Sequence, residues 1–400
     1  MFNVTPLSEA LEITLQRFMG FKSETEMVAL DKSLGRVLSS PITFKEFIPN
    51  FNRSTVDGYA LRSEDVRGCS ESTPGILRLL GSIDMGKPNH LRVGNMDAVF
   101  VPTGAELPEG ADSVVMLEYT EKFSEDEIAV LRPSAPGANI IFRGDDGKPG
   151  VSLLPLGHCL GVADIGSLAA LGYSAVEAYQ PLKIGILSTG DELVPPHDLP
   201  GPGQIRDVNT AMLGAFAQSV GFEPLVMPFI ADQEDLLEKS IQQLIKEADC
   251  VLVSGGTSVG VRDNLARVIE RLGSILIHGL AVKPGKPTII GNIEGKPVFG
   301  LPGNPVAAYF IAKELVLPLL MGFMHSEPQR KTLPANLSTA FSSNQGREEF
   351  VLVHLEDGQA RPLPSKSGLI TAVSRANGYI RIPRDSEGLS KGAEVNVILL

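Results

Sequence analysis

Tryptophan is absent from this 400-residue chain, aromatic residues make up only 6% of it, and cysteine occurs three times. Cys69, Cys159 and Cys250 lie far apart with no CxxC, which excludes a disulfide framework and a thiolate zinc site and points to a reducing compartment. Positive charge is also in deficit: 35 Lys and Arg against 47 Asp and Glu leave a net −12, the wrong sign for a nucleic-acid or anionic-membrane partner. No run reaches the roughly 18 apolar residues of a spanning helix, and the first residues lack the basic head and apolar core of a leader. The expected setting is cytoplasmic, with no membrane and no nucleic acid. The six histidines show no metal-ligand spacing, and none neighbours a Ser or Cys in a nucleophile motif. There is no Walker A lysine motif and no GxGxxG opening a helix, so P-loop ATPase and dinucleotide readings fail. Fixed-period repeats, low-complexity tracts and coiled-coil heptads are missing too.

What is present is a 43% hydrophobic chain, enough for two to four cored domains. Its organising stretch is Asp249 to Asn264, in which the apolar run Cys250 to Val253 reads as a fully buried strand emptying into Ser254-Gly255-Gly256-Thr257-Ser258. Missing Cβ atoms there let backbone N–H groups face an anion. The same grammar recurs at Lys183 to Leu193 and Pro297 to Pro305. Three strands are thus expected to bring polar loops to one edge of a parallel sheet, where open α/β sheets bind ligands.

In chain order, Leu7, Leu11, Leu15 and Phe18 recur at helical spacing, with Ser8 or Thr5 available as caps. Asp57 directly before Gly58 reads, taken alone, as a hairpin turn. From Ala60 to Arg132 the period is mostly two, as in a small β domain, and Thr103 ends one of its strands in a turn. Pro136 to Gly150 is a Gly/Pro-rich linker carrying Arg143-Gly144-Asp145-Asp146, and Ala163 to Leu171 is a short helix closed by Gly172. From Lys183 to about Leu320 strands alternate with helices at Asn209 to Val220, Gln233 to Glu247, Asn264 to Leu272 and Val306 to Leu320, the last with Asn304 as N-cap and Pro305 at its first position. Pro328 to Pro334 is a linker, and Ala335 to Leu400 returns to short strands, a small barrel or sandwich.

Chemistry concentrates in the α/β region. Asp191 and Glu192 follow a strand, Asp207 and Asn209 open a helix beside Arg206, and Asp263 opens another. Carboxylates at the mouth of a Gly-lined cradle suit Mg²⁺, which takes one or two of them plus phosphate oxygens. Taken singly, each is more often a helix cap, a reading that fits Asp207 and Asp263 well. Lys283-Pro284-Gly285-Lys286-Pro287 shifts the balance, since two lysines on a stiff turn of an acidic protein point to an oxyanion rather than a solvated surface. The chemistry implied is Mg²⁺-assisted phosphoryl or nucleotidyl transfer driven by positioning and charge neutralisation.

Seven motifs occur in one order: Ser-Thr-Val-Asp-Gly-Tyr-Ala (54–60), Pro-Thr-Gly-Ala (102–105), Leu-Ser-Thr-Gly-Asp-Glu-Leu (187–193), Gly-Gln-Ile-Arg-Asp-Val-Asn (203–209), Ser-Gly-Gly-Thr-Ser-Val-Gly-Val-Arg-Asp (254–263), Lys-Pro-Gly-Lys-Pro (283–287) and Leu-Pro-Gly-Asn-Pro-Val (301–306). In them the chain resembles, over essentially its full length, the molybdopterin molybdenumtransferase family of MoeA proteins and gephyrin E domains. The resemblance implies an elongated homodimer of four-domain α/β subunits: a helical and extended linking domain (1–48 with 137–180), a small β domain (49–136), a MogA-like α/β domain (181–328) and a C-terminal β barrel (329–400). It implies that adenylylated molybdopterin and molybdate give molybdenum cofactor and AMP with Mg²⁺, and that a molybdopterin adenylyltransferase delivers the substrate. Position by position, it gives the metal and diphosphate to Asp263, Glu192 and Asp232, with Asp263 orienting or activating the attacking group. Lys283, Lys286 and Pro287 would hold molybdate or adjacent phosphate, while Ser254, Gly255, Gly256 and Ser258 cradle the pterin-phosphate end. Asp57, Thr103 and Asp146 would reach the cleft from the partner subunit, and Arg347 and Ser367 would complete the oxyanion site. This sequence departs from the family pattern at Arg143, where relatives often carry a basic run, at Gly279 in place of a lysine, and at Val208 in place of a serine. Two other readings are a molybdopterin adenylyltransferase, against which the flanking β domains count, and a non-catalytic gephyrin-like scaffold gripping a peptide. Whether nucleotide is consumed, released or ignored separates the three.

Overall fold

The computed structural model describes residues 4–255, 264–364 and 368–400. The chain forms two compact units, one of Met1–Ser40, Leu156–Gly161 and Ala175–Leu400, the other of Pro41–Pro155 and Val162–Ser174.

The larger unit is built on a six-stranded sheet in the order Glu223–Val226, Lys183–Ser188, Cys250–Ser254, Lys296–Leu301, Ile289–Ile293, Ser274–His278. The first four strands are parallel, as expected from the strand–helix alternation, but the last two pairings are antiparallel, because Ile289–Ile293 alone runs against the other five strands. A two-residue turn reverses the chain after Ile293: Glu294 and Gly295 both take positive φ (52° and 79°), the requirement of a tight hairpin turn whose twist matches its strands. Every residue of the central Cys250–Ser254 strand is buried, because helices cover both faces. On one face lie Glu234–Glu247, whose Leu237, Ile241, Leu244 and Ile245 form a stripe, and Asn264–Leu272 with Leu265, Val268 and Ile269. Gly291 permits that contact, since a Cβ there would collide with Ile269.

The opposite face takes Asn209–Ser219 and the long segment Pro305–Gly322. The latter is a single expected helix that widens at Ala312–Val316 into a π-helical stretch between α-helical turns. Pro318 supplies the reason: without an N–H it cannot close the ordinary bond to residue 314, and the ladder adjusts around it. With mean hydropathy 1.4 over 18 residues, this segment is, on length and composition, apolar enough to cross a membrane, a criterion no run was expected to meet; the average hides Lys313 and Glu314, and 67% of it is buried in the protein. The Leu7–Arg17 helix buries Leu7, Ala10 and Thr14 and has no side-chain cap. The N-cap position is Pro6, whose side chain has no acceptor; Ser8 lies inside the helix, and Thr5, one residue before the cap, bridges Leu280 through its backbone.

At the C-terminal end, Thr332–Leu337, Glu348–Glu356, Gln359–Pro362, Gly378–Ile382 and Glu394–Leu399 close a five-stranded barrel, with Glu348–Glu356 pairing Gly378–Ile382 to complete the ring. The first strand starts within the stretch expected as linker. The short strand Val282–Lys283 adds in parallel to Glu348–Glu349 and ties the lysine turn to the barrel. Behind this seam, the buried Glu314 accepts a hydrogen bond from Tyr379 and pairs with Arg330 at 3.0 Å and Arg381 at 3.5 Å.

The smaller unit carries a second six-stranded sheet, in the order Ser113–Met116, Gly58–Leu61, Asp97–Val101, Gly75–Ser82, Glu127–Val130, Thr120–Lys122, and the Val162–Ala170 helix. Its alternating apolar residues form two small cores.

Tyr379→Phe tests the seam. Removing the donor leaves a buried carboxylate short of a partner, at a cost of about 1–3 kcal/mol in urea unfolding at neutral pH. Burial and then the Glu314 charge hold the Tyr379 phenol protonated well above the ordinary tyrosine range. A raised pKa in the folded state stabilises below the unfolded value and loses that contribution as pH rises, so wild-type stability should fall above about pH 10 more steeply than that of Tyr379→Phe.

Candidate functional site: two adjoining clefts and a carboxylate-clamped loop

A cleft of about 1040 Å³ opens where the parallel strands end. Ser188, Thr189, Ser254 and Gly255 form its floor, Glu192 and Asp232 its acidic side, and Pro287, Pro302 and Asn304 its far wall. The floor is stitched from within. Thr189 N–H donates to the Ser254 carbonyl at 2.8 Å, and Gly255 N–H donates to the Leu301 carbonyl at 3.2 Å. The Gly255 N–H is therefore committed to the protein rather than pointed at a ligand. Gly255 itself is needed, because its φ is +97° and a Cβ would strike the Thr189 carbonyl. Asn209 locks two of the loops, donating from Nδ2 to Ser254 Oγ at 2.6 Å and to the Gly303 carbonyl at 2.8 Å. Asp207 is a buried cap: it accepts the Thr210 N–H at 3.1 Å and the Ser188 hydroxyl at 3.0 Å. Asn304 occupies the N-cap position of the Pro305 helix without making the side-chain cap bond; it lines the cleft instead.

The acidic side is held by a polar chain. Asp191 accepts the Asp232 N–H at 3.2 Å, and Asn264 donates from Nδ2 to the Asp232 carbonyl at 2.9 Å and to its carboxylate at 3.2 Å. Arg267 then donates to Asn264 Oδ1 at 2.7 Å and pairs with Glu234. Glu192 is exposed, with no ion pair among the described residues. Among the described residues, Glu192 and Asp232 bring two carboxylates to this side of the cleft. That donor set suits a hard cation that brings its own water and phosphate oxygens.

A second cleft of about 750 Å³ lies between the lysine turn and the barrel and shares Pro287, Pro302 and Asn304 with the first. Lys283, Lys286 and Arg347 line it against Phe341, Phe350 and Leu363. Lys286 and Arg347 are half-buried and make no ion pair among the described residues, whereas Lys283 Nζ lies 2.9 Å from Glu349 Oε1.

In the smaller unit, Asp57 is not in a hairpin turn. The Arg53–Ser54 strand before it pairs with Ile140–Ile141, not with Gly58–Leu61. Its carboxylate clamps the neighbouring loop, accepting the Thr103 N–H at 2.7 Å and the Thr103 hydroxyl at 2.9 Å. Asp146 is exposed on a loop whose backbone is anchored by its own N–H to the Ile48 carbonyl at 2.9 Å.

The expected residues thus gather in three places: Glu192, Asp232, Ser254, Gly255 and Pro287 at the first cleft; Lys283, Lys286, Pro287 and Arg347 at the second; Asp57 with Thr103, and Asp146 on its own loop, in the smaller unit. Gly256, Ser258, Asp263 and Ser367 lie outside the described residues. Sequence reasoning did not single out Asn264, Arg267 or Glu349 as site residues; a helix-opening Asn followed by Arg three positions on, and a carboxylate beside the Arg347 turn, were the available cues.

Family models match along the whole chain: the MoeA N-terminal region (domain I and II) over residues 5–172, a probable molybdopterin binding domain over 185–322 and the MoeA C-terminal region (domain IV) over 334–400. The molybdopterin molybdenumtransferase of Bacillus subtilis is 33% identical over 389 residues, covering 95% of this chain and 90% of that protein. The chain belongs to the molybdopterin molybdenumtransferase (MoeA) family. A putative molybdopterin biosynthesis protein of Methanocaldococcus jannaschii is 32% identical over 410 residues, covering 100% of this chain and 98% of that one. Among solved structures, a MoeA protein of Pyrococcus horikoshii superposes with TM-score 0.80 at 37% identity, each chain covered to 99%. Another, from Pyrococcus horikoshii OT3, gives 0.87 at 32% identity with both chains covered in full. The chain is accordingly an enzyme of molybdenum cofactor biosynthesis, with a MoeA-like multidomain fold of a MogA-like α/β domain and a closed five-stranded barrel.

Gly255→Ala should destabilise the protein by about 1–3 kcal/mol in urea unfolding, because a side chain at that φ is strained and meets the Thr189 carbonyl. The Asp57 carboxyl is held below the usual carboxylate range first by the Thr103 N–H and then by its hydroxyl. A depressed pKa stabilises above the unfolded value and loses that contribution as pH falls through the folded one. Thr103→Val keeps the N–H and removes the hydroxyl, so a carbon-detected NMR titration should find the Asp57 pKa moved part of the way up.

Proposed function

We propose that the enzyme inserts molybdate into adenylylated molybdopterin, releasing AMP and yielding molybdenum cofactor. The observation that carries this reading is the adjoining pair of clefts, one edged by carboxylates and the other lined by cations, with Pro287, Pro302 and Asn304 common to both. Such a pair suits a substrate with a diphosphate and a second, separate oxyanion.

In this reading the first cleft takes the pterin and diphosphate end between its Ser254–Gly255 floor and its acidic edge. Mg²⁺, when bound beside Glu192 and Asp232, supplies neutralisation of phosphate charge. Asn264 and Asp191 keep the Asp232 loop in place for that role. Lys286 and Arg347 capture molybdate in the second cleft by charge-assisted hydrogen bonds. Asp263, Gly256, Ser258 and Ser367 keep the roles that the resemblance implies. The reading includes the four-domain division stated above and a homodimer, in which Asp57, Thr103 and Asp146 of the partner subunit serve the same reaction. It also includes a cytoplasmic setting and delivery of substrate by a molybdopterin adenylyltransferase, without membrane or nucleic acid, as the net charge of −12 favours.

The test is AMP release from adenylylated molybdopterin with Mg²⁺, with and without molybdate. Release that depends on molybdate supports the insertase. ATP consumption on bare molybdopterin without molybdate-dependent release would instead identify an adenylyltransferase, and inertness in both assays a scaffold. Lys286→Gln and Arg347→Gln should each raise KM for molybdate about tenfold or more, and Asp232→Asn should lower kcat by about 10²-fold.

A further inference from the structure

Resting on the reading of the second cleft as an oxyanion site, we infer that Glu349 is a positioning residue that sets the charge of that site. It pins Lys283 to the barrel wall and cancels its charge, leaving Lys286 and Arg347 to attract an oxyanion.

Glu349 is a carboxylate with little freedom. Its side chain is 8% exposed, Oε1 faces Lys283 Nζ at 2.9 Å, and Oε2 accepts the Ser343 hydroxyl at 2.6 Å. The backbones of Lys283 and Glu349 stand opposite one another in the parallel pairing, so the two side chains are placed together by the fold. Such a carboxylate, held through both oxygens, does not swing out when an anion arrives. Lys283 remains 44% exposed, so its ammonium borders the cleft while sharing its charge with Glu349. Glu348, next in the strand, alternates to the other face and is occupied by Arg381 at 2.6 Å. The charged groups on the cleft are therefore Lys283, Lys286 and Arg347 against Glu349, among the described residues a net of two positive charges. That surplus of positive charge suits an oxyanion. Without Glu349 the site would over-attract, holding its anion more tightly and responding more strongly to salt.

The experiment is calorimetric titration of molybdate into the full-length protein at two ionic strengths, with thermal unfolding to establish that each variant is folded. Glu349→Gln has the same shape and retains a polar partner for Ser343. It should bind molybdate about tenfold more tightly than wild type, with a steeper loss of affinity on adding salt. A purely structural tie between strand and barrel would change the melting temperature and leave the salt slope alone. The double variant Lys283→Gln/Glu349→Gln removes the pair as a unit and leaves no unpaired charge, so it reads the same point if the single variant does not fold. It should bind within about threefold of wild type, whereas Lys286→Gln loses about tenfold. A folded Glu349→Gln with wild-type or weaker affinity, or a double variant as weak as Lys286→Gln, overturns the inference while leaving the oxyanion site standing. If wild type takes up no molybdate, or Lys286→Gln and Arg347→Gln bind it unchanged, the oxyanion reading itself fails.

Discussion

The Cys250–Ser254 strand has no solvent-facing side, and that constraint organises the larger unit. A strand buried on both faces can present polar groups only at its ends, and with parallel neighbours on either side those ends fall together. Ser188, Ser254 and the turn after Leu301 are brought to one edge for this reason. The floor they make is then fixed by bonds among the loops themselves, with Asn209 as the cross-tie, so the cleft is shaped before any ligand reaches it.

Charge is handled differently in the two clefts. On the acidic side, Asp191, Asp232, Asn264, Arg267 and Glu234 form a relay from the loop tip to the helix behind it, which leaves Glu192 exposed at the rim. On the cationic side the barrel intervenes: its Glu348–Glu356 strand carries Glu349 to Lys283 and Glu348 to Arg381, and Arg381 continues to the buried Glu314. The barrel therefore does more than close the chain. It supplies the carboxylates that decide which cations near the lysine turn stay available.

Long periodic segments and turn chemistry were legible in the sequence. Asn264–Leu272 has the expected bounds, Glu234–Glu247 begins one residue inside them, and Asn304 and Pro305 mark the start of the last helix. What misled were local signals with more than one use. Thr5 looked like a cap and became a bridge partner of Leu280; Asp57-Gly58 looked like a hairpin turn and became a clamp on Thr103. The reversal at Glu294–Gly295 is settled by the pairing of the strands around it, which sets Ile289–Ile293 against the other five.

By itself the sequence determined the family, the α/β alternation, the buried central strand and which loops carry polar groups, because these follow from composition, periodicity and ordered motifs that are local in the chain. Tertiary structure alone decided how those groups are spent. Gly255 has its N–H committed to Leu301 and Asp207 is buried as a cap, while Lys283 meets a carboxylate 66 residues further on. Each outcome depends on which partner the fold brings within about 3 Å of a donor or charge, a distance that sequence separation does not encode.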